Sequence, residues 1–247
     1  MPRRRTVELL SATMLSQWVR SLVFRCVDGA PLGFVPGQYV DLFAKTETGL
    51  YFKRPYSIAS APSQPAPDAF EIAVSLVEDG PMSTALHAMP IGARGEIEGP
   101  AGSFTMRGAA ADSALFIATG TGLAPLRSML AVDLAQGRQA RGDEPRGDRL
   151  LLFGCRTERD ILWGDELHAW AKAGPRFRLE VSLSRAAPHW KGRTGYVQEH
   201  TRELALSLGG APHAYVCGLS MMTDAVVRIL EDDAGFKRDH IHYETYD

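Results

Sequence analysis

The stretch "ALFIATGTGLAP", residues 114–125, decides how the second half of this chain folds. Its first part, "ALFIATG", is a continuous apolar run typical of a strand buried on both faces of a parallel sheet. Two glycines follow, and a helical pattern begins near Pro125. Glycines allow backbone N–H groups to approach a ligand closely, and the amino end of a helix favours an anion. The stretch therefore favours a pyrophosphate site over a plain strand–helix turn. It is only part of the dinucleotide fingerprint, and the chain has no G-K-[ST] segment.

Buried strands and helices continue to alternate after this stretch. The predicted strands lie at residues 114–120, 149–155, 177–184 and 213–218, and the predicted helices at 125–134, 162–173 and 221–232. Such alternation predicts an α/β domain with a parallel sheet. The glycine- and arginine-rich residues 136–149 are expected to form a surface loop.

The first hundred residues have a different rhythm of short strands broken by turns. The strand candidates are residues 21–27, 38–44, 70–77 and 95–104, with a short helix at 83–89. Many short strands at even spacing favour a barrel or a sandwich. The change of rhythm places a domain boundary near residues 104–112.

Composition excludes several classes of protein. The chain has 247 residues, 45% of them hydrophobic, which suffices for a real core, and its net charge of −2 argues against a nucleic-acid or acidic-lipid partner. We find neither a signal-peptide apolar region nor an uncharged apolar run of about 18 residues, so no membrane association is expected. The three cysteines show no C-x-x-C spacing and the seven histidines no metal pattern, so we expect no metal and a cytoplasmic location.

Two segments of the first half carry candidate ligand groups. "YFKRPYSIAS", residues 51–60, combines a guanidinium, an aromatic ring and a hydroxyl, which suit a flat and charged ligand or merely a strand edge. "DGPMSTAL", residues 79–86, places Ser83 and Thr84 at a helix start. By itself this second segment favours an ordinary serine N-cap over a phosphate site.

Five motifs, taken in order, resemble the ferredoxin–NADP reductase superfamily over nearly the whole chain. They are "RPYSIAS", "GPMST", "GTGLAP", "CGLSMM" and "HYETY". The resemblance implies two domains. An antiparallel six-stranded β-barrel over residues 1–107 would bind FAD, and an α/β parallel-sheet domain over residues 108–247 would bind NADPH or NADH.

The resemblance implies roles for residues of the barrel. Tyr56 would stack on the isoalloxazine ring, Arg54 would pair with the pyrophosphate, and Ser57 would form a hydrogen bond near flavin N5. Ser83 and neighbouring backbone amides would complete the phosphate grip. The implied flavin-binding residues are Arg54, Pro55, Tyr56, Ser57, Gly80, Met82 and Ser83.

It also implies roles in the second domain. Cys217 would lie beside the nicotinamide C4, Glu244 would relay protons near N5, and Tyr246 would cover a flavin face. The residues expected around the nucleotide are Thr121, Gly122, Ala124, Pro125, Gly218 and Met222. The alternatives are a buried hydrophobic cysteine, a solvated carboxylate and a frayed end. Asp247, which follows Tyr246, leaves the movement of that aromatic lid open.

The segment "SLSRAAPHWKGRTGYV", residues 182–197, bears on the choice of coenzyme. A 2′-phosphate favours basic and hydroxyl groups, whereas a free 2′-hydroxyl favours an acid. Ser184, Arg185, Lys191 and Arg193 are available, no acid lies nearby in this segment, and Tyr196 could stack on adenine. This favours NADPH. NADH stays possible, since the same charges could belong to a solvated loop.

The resemblance, together with these features, implies a FAD-dependent reductase. It would pass a hydride from NADPH to flavin and then single electrons to a separate ferredoxin or flavodoxin. The alternatives are an NADH-dependent reductase component of a ring-hydroxylating oxygenase and a non-catalytic flavin electron-transfer or redox-sensing subunit. We expect a monomer, and Lys53, Arg127 and Arg138 are candidates for facing an acidic acceptor.

Overall fold

The computed structural model describes residues 4–45, 51–139 and 146–246. The chain forms two compact units. One consists of Met1–Met106 with Arg127–Val132, and the other of Arg107–Leu126 with Asp133–Asp247. None of the described helices is long and apolar enough to cross a membrane. Within the same described ranges, no three His, Cys, Asp or Glu side chains are grouped so that they could hold a metal ion.

The first unit is a six-stranded antiparallel barrel, as predicted. Its elements are β1 (Arg5–Met14), β2 (Val19–Cys26), β3 (Tyr39–Lys45), β4 (Tyr51–Ser57), β5 (Ala69–Ser75), α1 (Pro81–Ala88) and β6 (Arg94–Ala101). The strand order is β4-β3-β6-β1-β2-β5. An antiparallel bridge between Ile58 and Ile72 joins the two end strands, and the Ala59 N–H donates to the Glu71 carbonyl at 2.7 Å. This pairing closes the sheet on itself.

Strand β1 was absent from the sequence prediction. Val7 and Leu9 are fully buried and alternate with more exposed residues, which is the period of a strand with one face on a core. Arg5 begins the strand and donates to Asp28 and to the Ala30 carbonyl, so the basic start of the chain is anchored from this residue on. The alternation is short, because the register of β1 with β2 shifts between Leu9 and Ser11, and the segment was not assigned as a strand from the sequence.

The second unit contains a six-stranded parallel sheet, which confirms the predicted α/β domain. Its strands are β7 (Ala114–Thr119), β8 (Arg149–Cys155), β9 (Phe177–Leu183), β10 (Arg193–Thr194), β11 (His213–Leu219) and β12 (Ile241–Tyr246). Its helices are α3 (Gly164–Ala173), α4 (Val197–Leu206) and α5 (Ser220–Arg228), which continues as a π-helical turn over Ile229–Asp233. Helix α2 (Leu123–Gln139) also begins and ends in this unit, while its residues Arg127–Val132 are counted with the first.

The strand order β10-β9-β8-β7-β11-β12 creates a switch point between β7 and β11. From β7 the chain builds β8, β9 and β10 on one side, then returns to add β11 and β12 on the other. In open α/β sheets, ligands bind outside the carboxyl ends of the strands at such a point. The loop at Gly120–Gly122, which follows β7, lies at this edge.

Two helices differ from the prediction. Helix α2 runs to Gln139, so the predicted loop over 136–149 is wrong for its first residues. Leu134, Ala135 and Gln136 are good helix formers, and one glycine, Gly137, does not stop a packed helix. Helix α4 was not predicted. Its buried residues, Val197, Thr201 and Leu204, have helical spacing, but Thr201 breaks the apolar stripe.

Arg149 anchors the start of β8. Its side chain is almost fully buried and forms two hydrogen bonds to Asp133, at 2.8 Å and 3.1 Å. It also donates to the carbonyls of Ala110 and Asp112. Because a buried guanidinium is tolerated only when it is paired and hydrogen-bonded, this set holds α2, β8 and the segment before β7 together.

Three imidazole rings stack at the amino ends of β11 and β12. His213 Nδ1 lies 3.1 Å from His242 Nε2, and the His213 and His240 ring centroids are 4.1 Å apart. Burial, followed by the nearby His213, lowers the pKa of His242 to about 4. Burial and His240 also lower the pKa of His213, against the opposing effect of Asp112. Both rings are therefore neutral at pH 7.

We predict that acid destabilises the protein through this stack. An unfolded histidine has a pKa of about 6.5, so the unfolded chain binds protons first and stability is lost as the pH falls from there toward 4. Urea unfolding midpoints should fall over that window. The fall should be smaller in His242→Gln, while His168→Gln, on the exposed surface of α3, should keep the wild-type dependence. Equal pH dependence in all three proteins would contradict this account.

Candidate functional site

Strand β4 presents the candidate flavin residues of the first unit. Arg54 and Pro55 are exposed, and Tyr56 and Ser57 are half-buried. Tyr56 packs partly against the barrel core, and burial raises its pKa to about 12 although Arg54 opposes this, so the phenol stays neutral. The Ser57 hydroxyl forms no hydrogen bond to any residue that the structure describes. The strand thus offers a ring face, a cation and an available hydroxyl.

The loop before α1 forms a tight turn in which the Ser83 hydroxyl is already hydrogen-bonded to the backbone. The Ser83 hydroxyl accepts from the Val77 N–H at 3.1 Å and donates to the Gly80 carbonyl at 3.0 Å. A Cβ on Gly80 would lie 2.8 Å from this same oxygen. The side chain of Met82 is buried in the barrel core. Gly80, Met82 and Ser83 therefore shape the loop, and the groups available to an anion are backbone N–H groups of the first helical turn.

The loop after β7 depends on two glycines. Gly120 has a φ of +52°, in the left-handed region that favours glycine. A Cβ on Gly122 would lie 2.2 Å from the carbonyl oxygen of Cys217, so only glycine fits against the end of β11. Thr121 lies between them and is half-buried, whereas Ala124 and Pro125 are buried at the start of α2. Those last two residues support the loop by packing.

Parallel pairing brings the candidate catalytic residues to the same edge. In the register of β11 and β12, Cys217 lies opposite Glu244, and Leu219 lies opposite Tyr246. Burial raises the pKa of the Cys217 thiol far above its ordinary value, so this cysteine is a neutral thiol and not a nucleophile. Burial also raises the pKa of Glu244, which favours a carboxyl group able to hold a proton. Met222 packs against Gly218 beside them.

The hydroxyl of Tyr246 holds this side chain in place through two hydrogen bonds. The oxygen donates to the Thr119 carbonyl at 2.7 Å and accepts from the Gly122 N–H at 3.0 Å. Burial raises its pKa to about 12. The side chain is therefore anchored to the loop after β7 and not frayed. Asp247, whose effect on this residue the sequence left open, lies outside the described residues.

Thr119 is a further candidate site residue, which the sequence analysis missed. It ends β7, and its hydroxyl is buried with no hydrogen-bond partner among the described residues. A Cβ on Gly218 would lie 2.4 Å from this hydroxyl, so the group faces the end of β11. Its place directly before "GTG" is the signal that could have identified it. An unpaired buried hydroxyl at a switch point suits hydrogen bonding to a ligand.

The residues predicted to distinguish the coenzymes separate into two groups. Ser184 and Arg185 are exposed beyond the end of β9, and the Arg185 N–H donates to the Arg156 carbonyl at 2.8 Å. Arg156 is exposed as well and was missed by the sequence analysis. Tyr196 is 65% exposed, which leaves its ring free for stacking.

Arg193 lies in a different environment. It is paired with Glu180 and Glu203, so the sequence-based view that no acid lies near this segment is wrong. Lys191 is exposed in the loop before it.

The basic residues suggested for an acceptor surface are mostly engaged. Lys53 pairs with Asp41 at 2.9 Å, and Arg127, which is largely buried, pairs with Glu71 at 2.8 Å. Arg127 is therefore not available to an acceptor. The side chain of Arg138 lies outside the described residues.

Comparison with known proteins gives two domain families. The oxidoreductase FAD-binding domain matches residues 6–106, and the oxidoreductase NAD-binding domain matches residues 116–228. The first match covers the barrel strands and α1. The second covers the loop after β7 and the end of β11.

Individual relatives agree with these families. Ferredoxin–NADP reductase B of Sorangium cellulosum (strain So ce56) is 42% identical over 244 residues, which cover 97% of this chain and 96% of that protein. The phenol 2-monooxygenase reductase component DmpP of Pseudomonas sp. (strain CF600) is 33% identical, and the chain spans 57% of its length. The solved ferredoxin NADP+ reductase of Neisseria gonorrhoeae, with bound FAD and NADP, has a TM-score of 0.81 at 21% identity over 99% of both chains, and so shares the fold.

We predict that Tyr246→Phe tightens binding of a pyridine nucleotide. If the ring must move for nicotinamide to enter, two hydrogen bonds must break first. Since each is worth about 1 kcal/mol net, the variant should bind NADP+ roughly fivefold or more tightly. Calorimetric titration measures this. Tyr243→Phe, an exposed tyrosine of the same strand, is the matched control. Unchanged or weaker binding by Tyr246→Phe would show that the hydroxyl does not restrain the ring.

Proposed function

This chain belongs to the ferredoxin–NADP reductase family, and from that membership we propose that it transfers a hydride from NADPH to FAD and then passes single electrons to a separate ferredoxin or flavodoxin. It is an oxidoreductase whose cofactors are FAD and NAD(P)H. The observation that carries the choice of activity is 42% identity to a ferredoxin–NADP reductase over nearly the full length of both proteins.

The residues of the barrel fit a flavin. Arg54 is an exposed cation, Tyr56 offers a neutral ring, and the first turn of α1 offers backbone N–H groups that no helical carbonyl can accept. Pro81, at the start of α1, has no N–H and favours the helical turn. We assign Arg54 and the Met82 and Ser83 amides to the pyrophosphate and Tyr56 to the ring system.

The loop after β7 fits the pyrophosphate of a pyridine nucleotide. Gly120 and Gly122 bring no side chain to the switch point on either side of Thr121, and the adjoining helix α2 directs its amino end there. We assign the nicotinamide to the edge formed by Cys217, Gly218 and Glu244. A neutral Cys217 thiol limits and shapes the approach to that edge without reacting.

Bound FAD would accept two electrons as a hydride and release them one at a time. The protein supplies positioning and protons. The available Ser57 hydroxyl would donate a hydrogen bond at flavin N5. Glu244, whose pKa burial raises, would hold a proton and exchange it with solvent. The role of Tyr246 as a removable cover over the flavin ring belongs to the same proposal.

The proposed electron acceptor is a ferredoxin or a flavodoxin. Relatives include the phenol 2-monooxygenase reductase component and the ferredoxin–NAD(P)+ reductase component of a naphthalene dioxygenase system of Ralstonia sp.. An NADH-using reductase component of an oxygenase is therefore the second candidate, and the engagement of Arg193 by two carboxylates favours keeping it. We also propose a monomer that acts in the cytoplasm, where its three free cysteines stay reduced.

The proposed function predicts a yellow protein that NADPH bleaches. Purified protein should take up one flavin, and stoichiometric NADPH should remove the oxidised flavin absorbance under anaerobic conditions. Ferricyanide rates with NADPH should exceed those with NADH, and absorbance changes of added ferredoxin or flavodoxin should report the acceptor. Protein that stays colourless with excess FAD would refute the proposal. Equal rates with both coenzymes would refute only the preference for NADPH.

Ser57→Ala tests the residue proposed at N5. A donor positioned at a reacting centre contributes strongly, so stopped-flow hydride transfer should slow roughly tenfold or more. FAD should stay bound, because the groups assigned to its pyrophosphate and ring system, Arg54, Tyr56 and the α1 amides, are unchanged. Ser103→Ala, an exposed serine after β6, should behave as wild type. If loss of FAD accounts for the whole deficit, the assignment of Ser57 to N5 is wrong.

A further inference from the structure

Arg193 points away from the edge where the adenosine ribose is expected. It begins β10 and lies opposite Ser182 in the parallel register with β9. Its Nε donates to Glu180 at 3.0 Å, and Glu180 precedes Ser182 along the strand. Ser184 lies on the opposite side of Ser182, beyond the carboxyl end of β9. The guanidinium is therefore directed toward the amino end of β9.

The second anchor of Arg193 is Glu203 of helix α4. Nη1 donates to Oε2 of Glu203 at 2.8 Å, and Nη2 donates to Oε1 at 3.0 Å. This two-pronged geometry is also the one by which a guanidinium binds a phosphate. Nη1 lies 3.4 Å from His200 Nδ1 on the same helix. Glu203 thus occupies the edge of Arg193 that a phosphate would use.

Arg185 and Arg156 differ from Arg193 in this respect. Both side chains are exposed at the carboxyl ends of β9 and β8, and a backbone hydrogen bond at 2.8 Å links the two residues. Within the described part of the chain, neither guanidinium has an ion pair. These cations can therefore meet a phosphate without first giving up a carboxylate.

We propose that Glu203 is a specificity-determining residue, which withholds Arg193 from the 2′-phosphate of NADPH. Recognition of that phosphate then depends on Arg185, and the chain discriminates between NADPH and NADH less than its number of basic residues suggests. The inference rests on the proposed function, since it assumes that the coenzyme binds along the carboxyl edge of this sheet.

The ion pair between Arg193 and Glu203 is open to solvent, so removal of Glu203 should have a measurable effect on phosphate binding. The Glu203 side chain is 68% exposed, while that of Arg193 is 21% exposed. An ion pair so open to solvent is weak and screened by salt, so loss of one charge should release the guanidinium without unfolding α4. Glu180 would still hold Nε, which limits the gain.

The experiment compares two probes that differ only by the phosphate, 2′-phospho-AMP and AMP, titrated calorimetrically into the complete protein with its FAD. The variants are Glu203→Gln, Arg193→Gln, the two combined, and Arg185→Gln. Glu231→Gln is the control, because it removes a carboxylate that lies 3.9 Å from an exposed Arg238 on another element. Circular dichroism and thermal melts establish that each variant is folded.

The proposal predicts a specific pattern. Glu203→Gln should bind 2′-phospho-AMP about fivefold more tightly, as expected from loss of an exposed ion pair, with AMP unchanged. Arg193→Gln alone should change the affinity for 2′-phospho-AMP by less than about twofold, and the double variant should lose the gain. Arg185→Gln should weaken 2′-phospho-AMP binding by roughly tenfold or more. Glu231→Gln should match the wild type.

Other outcomes overturn the inference. A tenfold loss in Arg193→Gln would make Arg193 a phosphate ligand despite Glu203. If 2′-phospho-AMP still binds more tightly to the double variant, the cause is removal of a negative charge near the site and not release of Arg193. If Glu203→Gln binds 2′-phospho-AMP no more tightly than the wild type, Glu203 does not compete with the phosphate for Arg193. If Arg193→Gln does not fold, Arg193→Lys replaces it, because lysine cannot form the two-pronged bond. Failure of the wild type to bind either probe would instead refute the coenzyme site of the proposed function.

Discussion

The close contact between Gly122 and the end of β11 shapes the carboxyl edge of the parallel sheet, where the nucleotide is proposed to bind. A Cβ at this residue would lie 2.2 Å from the Cys217 carbonyl oxygen, so the loop can lie against the strand only without a side chain. This approach puts the Gly122 N–H within reach of the Tyr246 hydroxyl. Parallel pairing of β11 with β12 then sets Glu244 beside Cys217. One missing side chain thereby allows three segments, distant in sequence, to share an edge.

Several polar groups of the candidate site residues form hydrogen bonds or ion pairs within the protein. The Ser83 hydroxyl closes the turn before α1, the Tyr246 hydroxyl bonds the loop after β7, and Arg193 pairs with two carboxylates. Each arrangement satisfies a partly buried polar group that would otherwise lack a partner. What is left for anions is mostly backbone N–H and exposed guanidinium. The free energy of ligand binding therefore includes the breaking of these internal bonds wherever a side chain must move.

Sequence reasoning succeeded where the signal was local. The apolar runs of β7, β8 and β11 are buried on both faces, so each is a continuous hydrophobic segment that can be identified alone. It failed for β1, whose alternation is interrupted by a register shift between Leu9 and Ser11, and for α4, whose stripe includes Thr201. The extent of α2 was underestimated because glycine and arginine near its end resemble a loop. The intrinsic helix propensity of single residues has little influence on where a helix ends when packing against a sheet stabilises it.

By itself, the sequence determined the two kinds of domain, their order, and the motifs that suggest flavin and nucleotide chemistry, since strand period and glycine spacing are local properties of the chain. By resemblance it also suggested Cys217, Glu244 and Tyr246 as candidate site residues. Which charged and polar groups lie within bonding distance of one another depends on the tertiary structure. Glu180 and Glu203 reach Arg193 from a neighbouring strand and a later helix, and Tyr246 reaches Thr119 across the sheet. Ion pairs and hydrogen bonds depend on distances of about 3 Å, which sequence separation does not specify.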